Sequence, residues 1–266
     1  MSRFLFKITI FSFVIFSNIS FSQITERLPC VDKEFCVVVH IIKDSLGNPG
    51  ITESSISTSI DSLNSYFSPI CLSFKVCEFV YHDNHKYDSL NSDVLAEWPE
   101  MQVLYNQTHR INLYYVKKIV RPSGVCGFAG LGAIGSLSNN GIVIQKSPNC
   151  CSVPFKTIIH EFGHYFSLEH TFEVGNGAEL VNGSNSAVAG DNVLDTPADP
   201  YVFPEPVTNY VVNCKFISMK KDANNQYYSP IVGNVMDYYP DTCLCGFTHD
   251  QLMKMAKYYL QHKGMW

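Results

Sequence analysis

Three histidines and one glutamate constrain this chain more than any other feature. His160-Glu161-Phe162-Gly163-His164 sets two imidazoles four residues apart, and His170 follows six residues after His164. On a helix, residues four apart differ by about 40° around the axis and about 6 Å along it, so both rings reach one ion from one face. Apolar side chains at Phe155, Ile158, Ile159, Phe162 and Phe166 have helical spacing, and Pro154 can open that helix. Three neutral nitrogen ligands leave a fourth zinc position to water, as catalytic sites do and closed structural sites do not. Zinc lowers the pKa of such a water toward about 7. Glu161 is beside the ligands and is not needed as one, so it is placed to take the proton and pass it to a leaving amine. Given nine histidines and eleven glutamates, about 0.013 matches to H-E-x-x-H are expected by chance, and about 0.0004 with the third histidine at a fixed offset. A helix whose histidines bind nothing is the weaker reading.

The rest of the chain reads as one α+β domain with two lobes. Phe35–Lys43 is a β-branched run of strand length, and Asp44–Gly50 is turn-rich. Thr52 begins a capped helix with Ile56, Ile60, Leu63 and Phe67 on one face. Leu72–Tyr81, Ile111–Val120 and Ile142–Gln145 read as strands, the last entered from a glycine-rich stretch, Gly124–Gly141. The chain is then loop-rich until Thr248, an N-cap for a final helix to about His262.

The first 22 residues read as a secretory signal: Arg3 and Lys7, an apolar run Ile8–Phe16, then small residues at alternate positions up to Ser22. Nine apolar residues are too few to cross a bilayer, which takes about 20. Segment 23–34 is short and polar, and the domain runs from 35 to 266. The 46% apolar content excludes global disorder. The net charge of −5 becomes −7 without the signal, and no basic stripe occurs, so nucleic acid is not an expected partner. Ten cysteines, all beyond the signal, fit an oxidising compartment, and their pairing is not deducible from sequence. The expected location is extracellular, with no membrane contact after signal removal.

The string HEFGHYFSLEHTF resembles the metzincin zinc peptidases, and its H-T-F ending is similar to the pappalysin family. Asn234-Val235-Met236-Asp237-Tyr238 resembles the family's Met-turn. Three further segments are similar: Gly190–Ala198, Phe247–Met255, and the opening Val37–Ile42 with its following helix. The resemblance implies a metzincin-type fold, an upper mixed sheet with helices over an irregular lower lobe with a C-terminal helix. It implies a secreted zinc endopeptidase acting on protein or peptide substrates, with His160, His164 and His170 on Zn2+ and Glu161 as general base. Met236 would form an apolar floor beneath the histidines. Tyr238 would donate to the developing oxyanion, and a buried structural tyrosine is its rival reading. The resemblance also implies a disulfide between Cys214 and Cys243, a substrate-pairing edge strand near Ile142–Gln145, and a structural Ca2+ at Asp191 and Asp195, on a loop where Asp199 and Thr196 also offer oxygen ligands. The rival reading of these residues is a solvated acidic turn with Asp capping.

One position departs from the pattern. Ser167 stands where the family has glycine, in a turn that often needs positive φ, at a cost of about 1 kcal/mol. That departure motivates the alternative of a non-catalytic secreted zinc-containing binding protein. Gly130-Leu131-Gly132-Ala133-Ile134-Gly135 matches the dinucleotide fingerprint, but turn-forming residues follow where a helix is required, so nucleotide binding is rejected. His82 and His85 sit in a polar stretch and are expected to be solvated. Cys30 is expected in a disulfide; a rival reading makes it a zinc-ligating latency residue.

Overall fold

A computed structural model of the chain describes residues 26–91, 97–121, 124–134, 140–147 and 156–265. The expected signal segment, Cys150, Cys151, Pro154 and Phe155 lie outside the described residues. In chain order the elements are β1 (Lys33–Ile42), α1 (Glu53–Phe67), β2 (Leu72–His82), β3 (Ser89–Asn91), α2 (Glu97–Tyr105), β4 (Ile111–Val116) and β5 (Lys118–Arg121). Then come β6 (Gly127–Ala129), β7 (Ile142–Gln145), α3 (Lys156–Tyr165), β8 (Val211–Val212), β9 (Lys215–Phe216) and α4 (His249–His262).

The main sheet has the order β2-β1-β4-β7-β6. Its first four strands are parallel, and β6 alone is antiparallel, against β7. Successive side chains of a strand face opposite ways, so β1 serves two cores. Phe35, Val37, Val39 and Ile41 join the core with α1, α3 and α4. Ile42 faces the other way, where Tyr114, Val116 and Val143 pack on Trp98 and Met101 of α2. Thr52 caps α1 by accepting from the Ser55 amide, and Ile56, Ile60, Leu63 and Phe67 are its buried face. Phe74 joins the layers, with ring centroids 5.1 Å from Phe67 and 4.7 Å from Phe162. Disulfide Cys36–Cys77 staples β1 to β2, and Cys30–Cys71 joins the segments that lead into them, so Cys30 is structural and the latency reading falls.

Two expectations change, and one element is unexpected. The strand expected over 111–120 divides at Lys117, because the buried Asp88 carboxylate accepts the Lys117 amide (2.8 Å) and also pairs with Lys146 (2.8 Å). Beyond that point β5 leaves the main sheet and pairs with β3. Helix α2 carries no apolar stripe: Trp98, Met101 and Gln102 are buried while Val103 and Leu104 are exposed, so periodicity does not announce it. His82 is not solvated. Its Nε2 lies 3.0 Å from Nδ1 of the buried His40, and its ring stacks 3.9 Å from Tyr105. His85 is exposed, as expected.

Between α3 and α4 the chain is mostly irregular, with short 3-10 turns and the β8–β9 hairpin. Its core is Tyr201, Tyr210, Val211 and Tyr239, and Cys214 is bonded to Cys243. At the start of α4, Thr248 and Gln251 form a reciprocal capping box.

Candidate metal centre and cleft

Helix α3 turns Ile158, Ile159 and Phe162 into the core and brings His160, Glu161 and His164 to one side. The chain then reverses. The Ser167 amide donates to His164 O (2.8 Å) and the Leu168 amide to Gly163 O (2.9 Å), the 5→2 and 6→1 bonds of a Schellman turn. Ser167 has φ +75°, so the glycine the family uses there is replaced without loss of the turn. The turn delivers His170, whose Nε2 lies 3.1 Å from His164 Nε2; His160 Nε2 is also 3.1 Å from His164 Nε2.

The outer nitrogens decide what these contacts mean. His160 Nδ1 donates to Val235 O (2.8 Å) and His164 Nδ1 to Leu168 O (2.7 Å). Carbonyls only accept, so both rings carry their proton on Nδ1, and their Nε2 lone pairs face each other. Two lone pairs at 3.1 Å do not form a hydrogen bond; they suit a shared cation, and the carbonyl partners orient the ligands. Burial and the neighbouring imidazoles hold His160 well below the usual histidine range and push His170 down to about 3, so the neutral, ligating forms are favoured.

The Met-turn lies under this helix. A Cβ on Gly163 would run into Met236 Sδ, so glycine is what lets Met236 sit against α3. Thr171 N donates to Met236 O (3.2 Å), and Asn234 Oδ1 accepts the Met236 amide (2.8 Å). Asn234 in turn exchanges hydrogen bonds with Gln251 of the α4 capping box. The histidine helix, the Met-turn and the C-terminal helix thus form one hydrogen-bonded unit.

Glu161 is buried beside the histidines, with no partner for Oε2, and burial pushes its carboxyl up to about 8. A bound dication acts in the opposite direction. Tyr238 is half-buried among aromatic rings, with centroid distances of 4.8 Å to His170, 4.9 Å to Phe172 and 5.8 Å to both His160 and Phe203. Burial and Glu161 push its phenol up to about 12, so it stays a donor near neutral pH.

Cavities of about 280 and 310 Å³ flank the centre, and both are lined by Gly127, His160, Glu161 and Tyr238. The edge of the sheet here is β6, because β7 lies between β4 and β6. The expected edge strand is therefore displaced by one. Gly127 makes the approach, since a Cβ there would stand 2.9 Å from Thr157 Cγ2 and 3.0 Å from Glu161 Cγ. Sequence reasoning missed β6, a three-residue strand with too few positions for alternation. It also missed buried Lys156, whose Nζ reaches Tyr239 O (2.9 Å), Asp237 (3.2 Å) and Asp241 (3.4 Å) at the base of the first cavity. Lys156 lies two residues beyond Pro154, the expected helix start, and nothing in its spacing marks it.

Asp191 and Asp195 have different surroundings. Asp191 is buried and accepts from the Thr196 hydroxyl (2.8 Å) and the Val193 amide (3.1 Å); burial, with the Asp191 charge second, pushes the nearby Glu179 carboxyl up. Asp195 is exposed, accepts the Asp250 amide (2.9 Å) and groups with His249 and Asp250.

A family model for pregnancy-associated plasma protein-A, a peptidase family, matches residues 104–259, from the end of α2 into α4. The chain belongs to that family. The chain is also similar to extracellular metalloproteases. One from Colletotrichum graminicola is 28% identical over 234 residues, covering 85% of this chain and 75% of the relative. Another, from Podospora anserina, is 25% identical over 246 residues, covering 85% and 73%. Mature mirolysin of Tannerella forsythia, solved with a cleaved peptide, shares the fold with a TM-score of 0.62 at 18% identity. That match covers 87% of this chain and 93% of mirolysin. The chain is a zinc metalloendopeptidase with the metzincin fold. No helix among the described residues is long and apolar enough to cross a membrane.

Proposed function

We propose that the cleft hydrolyses peptide bonds of an extended chain laid along β6, with zinc held by Nε2 of His160, His164 and His170. The convergence of those three nitrogens, two with tautomers fixed by carbonyl acceptors, is the observation that carries this reading. When bound, zinc supplies Lewis-acid polarisation and makes a water acidic near neutral pH. Glu161, through its unpartnered Oε2, takes the proton from the attacking water and returns it to the leaving amine. The free edge of β6 offers backbone N–H and C=O groups to the substrate, which gives affinity with little demand on sequence. Tyr238, protonated near neutral pH, donates to the oxygen on which charge develops. Ser167, which motivated the non-catalytic alternative, completes the turn that brings in His170, so no observation favours that alternative.

Replacing Glu161 with Ala tests the assignment. Casein cleavage should fall by about 100-fold or more while about one zinc per chain is retained. Cleavage within a few-fold of wild type would sink the role of Glu161.

The expected calcium site narrows to Asp191. Its buried carboxylate, with Glu179 beside it, suits a hard cation, whereas Asp195 is exposed and groups with half-buried His249 and Asp250. Residues 1–22 act as the export signal in this reading, in keeping with the extracellular relatives. Adding Ca2+ to the zinc-loaded protein should raise its Tm, and Asp191→Asn should abolish that rise. An unchanged Tm in the wild type would remove calcium from the account.

A further inference from the structure

The glycine motif rejected as a nucleotide fingerprint has another task. Strand β6 forms the rim of the cleft, yet it is three residues long and among the described residues has one neighbour, β7. Its other edge is the one offered to substrate, and among the described residues no second strand fixes its position. Beyond β6 the chain runs through Leu131, which lines the cleft, to Gly132.

Gly132 is a junction. Its amide donates to His164 O (2.9 Å), and the next amide, Ala133 N, donates to Tyr165 O (3.2 Å), so the loop caps the C-terminal end of the histidine helix. The Gly132 carbonyl accepts the phenol O–H of Tyr258, which comes from α4. The backbone at Gly132 has φ +60°, and a Cβ there would stand 2.9 Å from the Tyr258 hydroxyl and 3.1 Å from its Cζ. Glycine is required twice, for the conformation and for the approach of the phenol. Tyr258 itself is half-buried, and its ring packs 4.3 Å from His262 one turn on.

We infer that Tyr258 is a positioning residue for substrate binding: through Gly132 O it locks the β6 rim to the histidine helix and to α4. The inference rests on the reading of β6 as the substrate edge. It differs from a general stabilising role in where the effect falls. The phenol is one hydrogen bond and three residues from β6 and touches neither the histidines nor Glu161. Loss of its O–H therefore releases the rim without altering the groups that move protons.

The test pairs kinetics with binding. Tyr258→Phe removes only the hydroxyl and should raise KM about three- to tenfold, with kcat within about twofold and about one zinc per chain. In a Glu161→Gln background, which holds peptide without turning it over, Tyr258→Phe should weaken binding of a fluorescent casein-derived peptide by the same factor. Gly132→Ala should weaken binding more, and combining it with Tyr258→Phe should restore part of the loss, because the hydroxyl that the new methyl meets is gone. Equal peptide affinity with and without the Tyr258 hydroxyl overturns the inference, whatever the turnover. A fall in kcat at unchanged KM overturns it as well, since the bond would then serve the chemical step. Failure of the peptidase reading looks different: wild-type protein with one zinc would leave casein uncut.

Discussion

Ser167 bears a backbone strain that its neighbours need. At φ +75° a non-glycine residue gives up about 1 kcal/mol relative to glycine, and the turn it makes supplies both the His170 trajectory and the Leu168 carbonyl that orients His164. Zinc ligation contributes several times that amount in structural sites, so the strain is readily offset when metal is bound. Ser167→Gly should therefore raise stability by about 1 kcal/mol in urea unfolding, less whatever the glycine costs by loosening the unfolded chain. Activity should stay within about twofold, since the turn and its hydrogen bonds are kept. A drop in stability would mean that the serine side chain makes a contact worth more than the strain. The chemistry at this scale was readable in advance, because i, i+4 spacing on a helix is geometry. The partners that tune it were not: Val235 O, Leu168 O and the Met236 sulfur against Gly163 meet the histidine helix only through tertiary structure.

Among the elements, helices α1 and α4 announce themselves by caps and periodic apolar faces, and β1 by its β-branched run. Strand β6 and helix α2 do not, one because it is too short to alternate and the other because its buried face, Trp98, Met101 and Gln102, includes a polar residue while Val103 and Leu104 are apolar and exposed. The pairing of β1, β2 and β4 also creates a group invisible in sequence. His40 is buried; its Nε2 lies 3.1 Å from Asn112 Oδ1, an oxygen that also accepts the Gln107 amide (2.8 Å). That oxygen only accepts, so His40 carries its proton on Nε2, and its Nδ1 accepts from His82 Nε2. Burial pushes His40 down to about 4 against Asn112 and Glu78, which act the other way, and burial also lowers His82. The fold binds the neutral ring. Its contribution is thus complete above about pH 6.5 and is lost as pH falls toward 4, where a second proton on His40 would face the His82 N–H. Thermal unfolding at saturating zinc should show Tm falling across that window, with a shallower fall in His40→Gln. Parallel curves for the two proteins would assign the acid sensitivity elsewhere.

Across the molecule, the two lobes meet where the chemistry is. The upper sheet supplies β6 and α3, the lower lobe supplies Tyr238 and the Met-turn, and α4 reaches both through Gln251 and Tyr258. Disulfides sit at opposite ends of this arrangement, holding β1 to β2 above and Cys214 to Cys243 below. The lower lobe was foreseeable only as irregular chain, because a fold kept by a tyrosine cluster and a disulfide has no period to read. The proposed chemistry depends on one ion at one place. Anomalous scattering at the zinc edge, from crystals of protein purified with its native metal, locates that ion directly. A single strong peak is expected at zinc–nitrogen distance, about 2.0–2.1 Å, from Nε2 of His160, His164 and His170, with no fourth protein ligand. A peak among Asp195, His249 and Asp250 with nothing at the three histidines, or a fourth side chain closing the histidine site, would contradict it.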